Sequence, residues 1–248
     1  MTFSMRRVSA IFRKEVQDFK TNSQVLLMAF LPIILSFLFS RFGVGKEMLG
    51  ITTITAFLFV AGFVQSMVIA EEKEKHTLRV LMLSPASSVE VLLGKSLLTS
   101  GLTMAICIAN LFILDQLNIN LPLVGLIFLC GTILFIVLGT MIGLLASSVP
   151  QTSLIGMPIL MTMYLAVQFE PMVENKLIKT MIGYLPTSHI SKAINSVVGG
   201  AGFSSISGHI LNVAVWLIIS LVVCLIVYKK KQLDVTTQPP FGVFFKFY

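Results

Sequence analysis

Six long apolar blocks, at about 24–42, 49–70, 96–114, 123–146, 154–169 and 208–228, leave this chain little choice of fold. A helix needs roughly 20 mostly apolar residues to cross a bilayer, because its backbone polar groups must be satisfied inside the segment. The blocks approach or reach that length. They also explain why 56% of the residues are hydrophobic and 12% charged, where a soluble domain carries roughly 25% charged residues. The first block contains Pro32, and the fifth is short and contains Pro158. The fold class that follows is an all-α integral membrane protein with six transmembrane helices.

The basic residues orient the spans. Arg6, Arg7, Arg13, Lys14 and Lys20 precede the first block. Lys73, Lys75, Arg79 and Lys95 lie between the second and third, and Lys229, Lys230, Lys231 and Lys246 follow the last. The other side holds Arg41, Lys46, Lys176, Lys179 and Lys192, so the eighteen basic residues divide thirteen to five. The positive-inside rule then places both termini in the cytoplasm, which suits an even number of spans and a multi-pass protein of the plasma membrane. The net charge of +7 is this bias and calls for no nucleic acid. The residues before the first block read as a helix of their own, and no small-residue cleavage site follows that block, so no cleavable signal is expected. Cys107, Cys130 and Cys224 fall inside blocks at no metal-like spacing.

Around the blocks the pattern changes. Within 4–20, Met5, Val8, Phe12, Val16 and Phe19 share one helical face with Ile11 beside them, and Arg6, Arg13, Lys14, Gln17 and Lys20 take the rest. This predicts an amphipathic helix lying on the cytoplasmic membrane surface. Between blocks five and six, Met172, Leu177, Ile178, Met181 and Ile182 predict one short helix. Pro186, Thr187 and Ser188 read as a turn and cap, and Ile190, Ala193, Ile194, Val197 and Val198 predict a second helix closed by Gly199-Gly200. Both short helices are expected at the outer surface. The chain thus divides into a cytoplasmic helix at 1–23, a six-span region at 24–228 and a cytoplasmic tail at 229–248.

No motif supplies enzyme chemistry. Leu92–Ser96 imitates the end of a phosphate-binding loop, but Val89 stands where the first glycine is needed and no strand precedes it. The run at Gly43 fails too, with Ser40 and Glu47 at the diagnostic positions. His76, His189 and His209 have no partner at metal or catalytic sequence spacing. No ionisable residue falls near the middle of a block, which argues against an ion-coupled carrier; Gln65, Asn110, Asp115 and Gln168 come nearest. Gly139 and Gly143 form a small-residue packing face.

The charges instead concentrate in "SMVIAEEKEKHTLRVLMLSPASSVEVLLGKSLL", residues 66–98. A helical pattern runs past Ala70 to Leu83, Pro85 ends it, and Ser87, Ser88, Val89 and Glu90 form a capping box for a second short helix. The result is a cytoplasmic helix-turn-helix joined to the second and third spans. This stretch resembles the corresponding loop of type-2 ABC transporter permeases, in which an acidic run is followed by Gly-Thr-Leu, a proline, a glutamate and Gly-Lys-x-Leu. Thr77, Leu78, Pro85, Glu90, Gly94, Lys95 and Leu97 match, while His76 replaces the usual glycine and Arg79 a frequent acid. "YLPTSHISKAI" is similar to the family's Leu-Pro-x-x-His segment, and the order of elements agrees along the whole chain.

The resemblance implies a single type-2 ABC transmembrane domain over 1–248, acting as the permease of an ATP-driven exporter. It implies two permeases, identical or different, working with separate cytoplasmic ABC ATPase subunits that bind ATP and Mg. No cofactor is then expected in this chain itself. It further implies a coupling helix seated on the ATPase, here assigned to Glu74, Lys75, His76, Thr77, Leu78, Arg79, Leu81 and Met82, with Ser87 and Glu90 as the cap of the unit. Within this assignment the apolar pair Leu78 and Leu81 should dominate docking, and Glu72→Gln should do much less. An ion-coupled carrier and a membrane-embedded enzyme are the alternative classes.

Overall fold

The computed structural model describes residues 4–74 and 88–237, and the described residues are helical apart from short connections. Helix α1 is Met5–Thr21 and α2 is Ser23–Arg41. The second span is a continuous helix in three parts: α3 (Gly45–Ala56), a π-helical segment (Phe57–Val64) and α4 (Gln65–Glu74). It is followed by α5 (Ser88–Ile113), α6 (Leu121–Leu145) and α7 (Val149–Phe169), which continues through a short 3₁₀ turn (Glu170–Met172). The chain closes with α8 (Lys176–Gly183), α9 (Pro186–Val198) and α10 (Phe203–Thr237). Six stretches are long and apolar enough to cross a membrane: Ser23–Arg41, Glu47–Glu74, Leu93–Ile113, Leu121–Leu145, Val149–Met172 and Phe203–Tyr228. Each coincides with one of the six apolar blocks, and the second runs on into the charges Glu71–Glu74.

The second span is the axis of the molecule. Of its most apolar window 89% is buried, against 11% for the last span, whose side chains mostly face outward. A helix surrounded on all sides must bury its polar residues as well as its apolar ones. Thr52 and Thr55 do so by donating to Leu49 O (3.2 Å) and Ile51 O (2.8 Å), and Ser66 by donating to Phe63 O (2.7 Å). Gln65, fully buried, donates from Nε2 to Ser96 Oγ (3.0 Å) on α5 and Thr140 Oγ1 (3.1 Å) on α6. Pro32 and Pro158 sit inside α2 and α7, where apolar surroundings and neighbouring helices tolerate them.

Close approach along this axis requires glycine. A Cβ on Gly139 would run into the carbonyl of Gly62 in the π-helical segment, and one on Gly143 would lie 2.6 Å from Ser66 O. Gly131 faces the ring of Phe57, which stacks on Phe135 with centroids 5.8 Å apart. A π-helical turn displaces backbone carbonyls from the α-helical path. The glycines of α6 seat that displaced backbone without a side chain between the helices.

The remaining elements cap the bundle at its two ends. At one end α1 crosses α5 so closely that a Cβ on Gly94 would lie 2.8 Å from Ile11 Cγ2. The buried side of α1 holds Val8 and Glu15, with Phe19 against the core, while Met5 is 73% exposed. The predicted apolar face is therefore rotated: the covered stripe passes through a carboxylate, because α1 packs on charged groups as well as on apolar ones. At the opposite end α8 is almost wholly exposed, and α9 packs on α3, where Gly50 lies against Ser191 and Asn195. Pro186, Thr187 and Ser188 are not a turn. They form the first turn of α9, where a proline at the first position needs no amide partner. Thr187 donates to Met163 O (3.2 Å) and Ser188 to Ile182 O (2.8 Å), pinning α9 to α7 and α8.

Candidate functional site

At the end of α4, successive charged residues project about 100° apart around the helix and meet different neighbours. Glu72, 3% exposed, accepts from Lys95 Nζ on α5 at 2.8 Å and from Lys14 Nζ on α1 at 2.5 Å. Lys73 donates to Leu144 O (2.9 Å) and to Ala146 O, the last carbonyls of α6, where the helix dipole favours a cation. Glu74 accepts from the amide of Val149 (2.8 Å) at the start of α7, where the dipole favours an anion. One turn of α4 thus reaches α1, α5, α6 and α7.

Lys95 completes the cluster from the other side. It is 1% exposed and donates to Glu15 Oε1 at 2.6 Å as well as to Glu72. Two carboxylates around one buried ammonium leave a negative charge, and Lys14 brings a second ammonium from the solvent side, where its side chain is 51% exposed. Burial opposes the charge on Lys14, but its hydrogen bond to Glu72 and the fields of Glu15, Glu72 and Asp18 outweigh that and raise its pKa. Paired charges with further hydrogen bonds can be buried, whereas removing one partner typically costs about 3–5 kcal/mol.

A second bridge lies one turn earlier on α5. Glu90, fully buried, accepts from the Ser4 amide (2.5 Å) and from Arg7 Nε (3.0 Å) and Nη2 (2.7 Å). Both guanidinium bonds end on the two carboxylate oxygens, a fork that fixes orientation as well as distance. That hydrogen bond, with the charge of Glu90 behind it, raises the Arg7 pKa. Ser4 has no side-chain cap of its own, so Glu90 caps α1 across 86 residues of sequence.

The residues assigned from sequence fall into three groups. Lys75, His76, Thr77, Leu78, Arg79, Leu81, Met82 and Ser87 lie outside the described residues. Glu74 ends α4 and holds α7, and Glu90 reaches across to α1. Gly139 and Gly143 line the contact of α6 with the second span. Glu15 and Lys95 were absent from the assignment, although Lys95 belongs to the Gly-Lys pair of the motif. One signal was available: Glu15 follows Val8 by two helical turns and so lies on the same stripe. Glu72, in the helical pattern that runs past Ala70, is buried between two lysines.

Two of the histidines, distant in sequence, meet in space. His189 on α9 and His209 on α10 meet with Nδ1 atoms 2.8 Å apart and tilted rings. Burial lowers the His189 pKa first, and His209 and Lys192 lower it further, against a backbone bond at Gly183 and the field of Glu170.

Among the described residues no group of three His, Cys, Asp or Glu side chains converges to hold a metal. The charge cluster binds helices to one another. No curated protein matches the chain. Comparison with known families aligns residues 3–233 with the family described as "ABC-2 family transporter protein". That span takes in α1, all six long apolar helices and the charged ends that join them, and the chain belongs to the ABC-2 family of membrane transporters.

Proposed function

We propose that the chain is the permease subunit of an ATP-driven exporter, forming the substrate pathway with a second permease and taking energy from a separate cytoplasmic ATPase that holds ATP and Mg. The observation that supports this best is where the charge cluster lies. Glu72, Lys73 and Glu74 stand just before residues 75–87, and Glu90 and Lys95 stand just after them. A partner pressing on residues 75–87 acts within about one helical turn on groups tied to α1, α5, α6 and α7. The charged end of the bundle is then cytoplasmic, and residues 74–82 carry the coupling contacts.

In the coupling helix proposed for residues 74–82, Leu78 and Leu81 are three apart and would share a face, with Lys75 and Arg79 flanking it. Burying a leucine contributes roughly 1.5–3 kcal/mol, whereas an exposed ion pair contributes about 0–1. The double variant Leu78→Ala/Leu81→Ala is therefore expected to insert and fold normally, to weaken ATPase co-purification and to abolish transport. The isolated chain is expected to hydrolyse no ATP. Full association and transport in the double variant would remove the coupling role from these residues, and robust hydrolysis by the chain alone would overturn the permease reading.

A further inference from the structure

Successive residues of α1 project about 100° apart, which divides its surface by chemistry. Val8 and Glu15 mark the buried side. On the opposite side Arg6, Arg13 and Lys20 recur every seventh residue and so form one line, about 21 Å long, down the helix. All three are exposed, and none has a hydrogen bond or ion pair among the described residues. One flank of this line is apolar: Met5 is 73% exposed, and Phe12 and Val16 are half-buried. The other flank carries Lys14, Gln17 and Thr21, all exposed. The helix also sits at a defined level. Asn22 alone joins it to α2, the first span, while Ile11 packs against Gly94, and Lys14 and Glu15 bond Glu72 and Lys95. These contacts place α1 beside the ends of the first three spans.

We propose that the outward face of α1 binds anionic lipid headgroups of the adjacent leaflet, with Arg6, Arg13 and Lys20 on the phosphates and Met5, Phe12 and Val16 turned towards the acyl chains. The level of α1 at the span ends is the level of the headgroups. Lysine and arginine stems lie along apolar surface and carry their charges to the phosphates, so an apolar line beside a basic one suits a lipid interface. The polar flank is then left in water. A zwitterionic headgroup brings no net charge to balance three cations, whereas an anionic one does. An acidic protein surface would match the charges too, but it gives no reason for an apolar line on one flank only. The ion pairs of Glu90, Glu72 and Lys95 fix which side of α1 is turned inward, and so they also aim the basic line. None of these contacts needs an ATPase.

The test uses the full chain. In detergent, native mass spectrometry compares retention of phosphatidylglycerol and phosphatidylcholine with the same acyl chains, and the anionic lipid is expected to be preferred. The variant Arg6→Gln/Arg13→Gln/Lys20→Gln leaves every ion pair of α1 in place. It is expected to lower the preference about fivefold per charge, on the order of a hundredfold for all three. In vesicles containing phosphatidylglycerol, with Cys107, Cys130 and Cys224 replaced, a bimane probe on Met5→Cys should be quenched by brominated acyl chains, and one on Gln17→Cys much less. Equal retention of the two lipids overturns the proposal, as does a preference that survives in the triple variant or equal quenching at positions 5 and 17. Salt-sensitive binding of an ATPase that the triple variant loses, with its lipid retention unchanged, overturns it as well and assigns the basic line to a protein surface.

Discussion

At Lys95 the ammonium lies 2.6 Å from Glu15 and 2.8 Å from Glu72, and all three side chains are nearly inaccessible. Lys95→Met would leave two buried carboxylates with Lys14 as their remaining cation in the cluster, so the expected destabilisation is about 3–5 kcal/mol, read as a fall in thermal unfolding temperature. Glu72→Gln removes the carboxylate that two lysines share and is expected to lose a comparable amount, in contrast to the mild effect that its place in a charged run suggests. The double variant Glu15→Gln/Lys95→Met should lose less than the sum of its parts, because each change removes the other's uncompensated charge. A double-mutant cycle in which the losses simply add would show that the pair is not coupled. The raised pKa of Lys14 keeps its contribution intact below the ordinary lysine value of 10.5, and the contribution is lost only as pH rises past it, far from neutrality.

Helix α9 and its neighbours α7, α8 and α10 meet through side chains that no local pattern relates. His189 and His209 share one Nδ1···Nδ1 contact, Lys192 pairs with Glu170 at 2.6 Å, and Trp216 Nε1 donates to Tyr184 O at 2.9 Å. The histidine contact needs one ring nitrogen to donate and the other to accept, so protonating both rings breaks it. The groups facing His189 are His209 on α10, Lys192 on its own helix and Glu170 on the turn after α7. Its folded pKa is lowered, so the contact is intact above the ordinary histidine value of 6.5 and weakens as pH falls from there towards the folded value. Hydrogen exchange in α9 is expected to accelerate on going from pH 7.5 to pH 5. His189→Gln should remove most of that pH dependence, whereas an unchanged dependence would place the titrating group elsewhere. The element itself was legible from its apolar spacing, but its first turn was not. Thr187 and Ser188 look like turn residues locally, and only the carbonyls of Met163 and Ile182 hold them in a helix.

Across the whole molecule, the division of basic residues predicts that the charged end faces the cytoplasm. After replacement of Cys107, Cys130 and Cys224, single cysteines at Lys75, Lys179 and Lys231 test this with a membrane-impermeant thiol reagent. Position 179, exposed on α8, should label in intact cells, and positions 75 and 231 only after the membrane is opened. Labelling of position 75 from outside would reverse the topology. The number, length and order of the apolar helices were determined by sequence alone, because hydropathy acts within one segment and a bilayer demands a minimum length of it. Which helix stands at the centre was decided only by the tertiary structure. The second span is no more apolar than several others, yet its small and hydroxyl residues and the facing glycines at 139 and 143 let neighbours close around it. The same holds for the charge cluster. Glu15, Glu72 and Lys95 come from three helices, and each alone reads as an ordinary solvated charge. Burial becomes possible only when all three arrive together, since an ion's cost in a low-dielectric interior is offset by partners that sequence proximity does not supply.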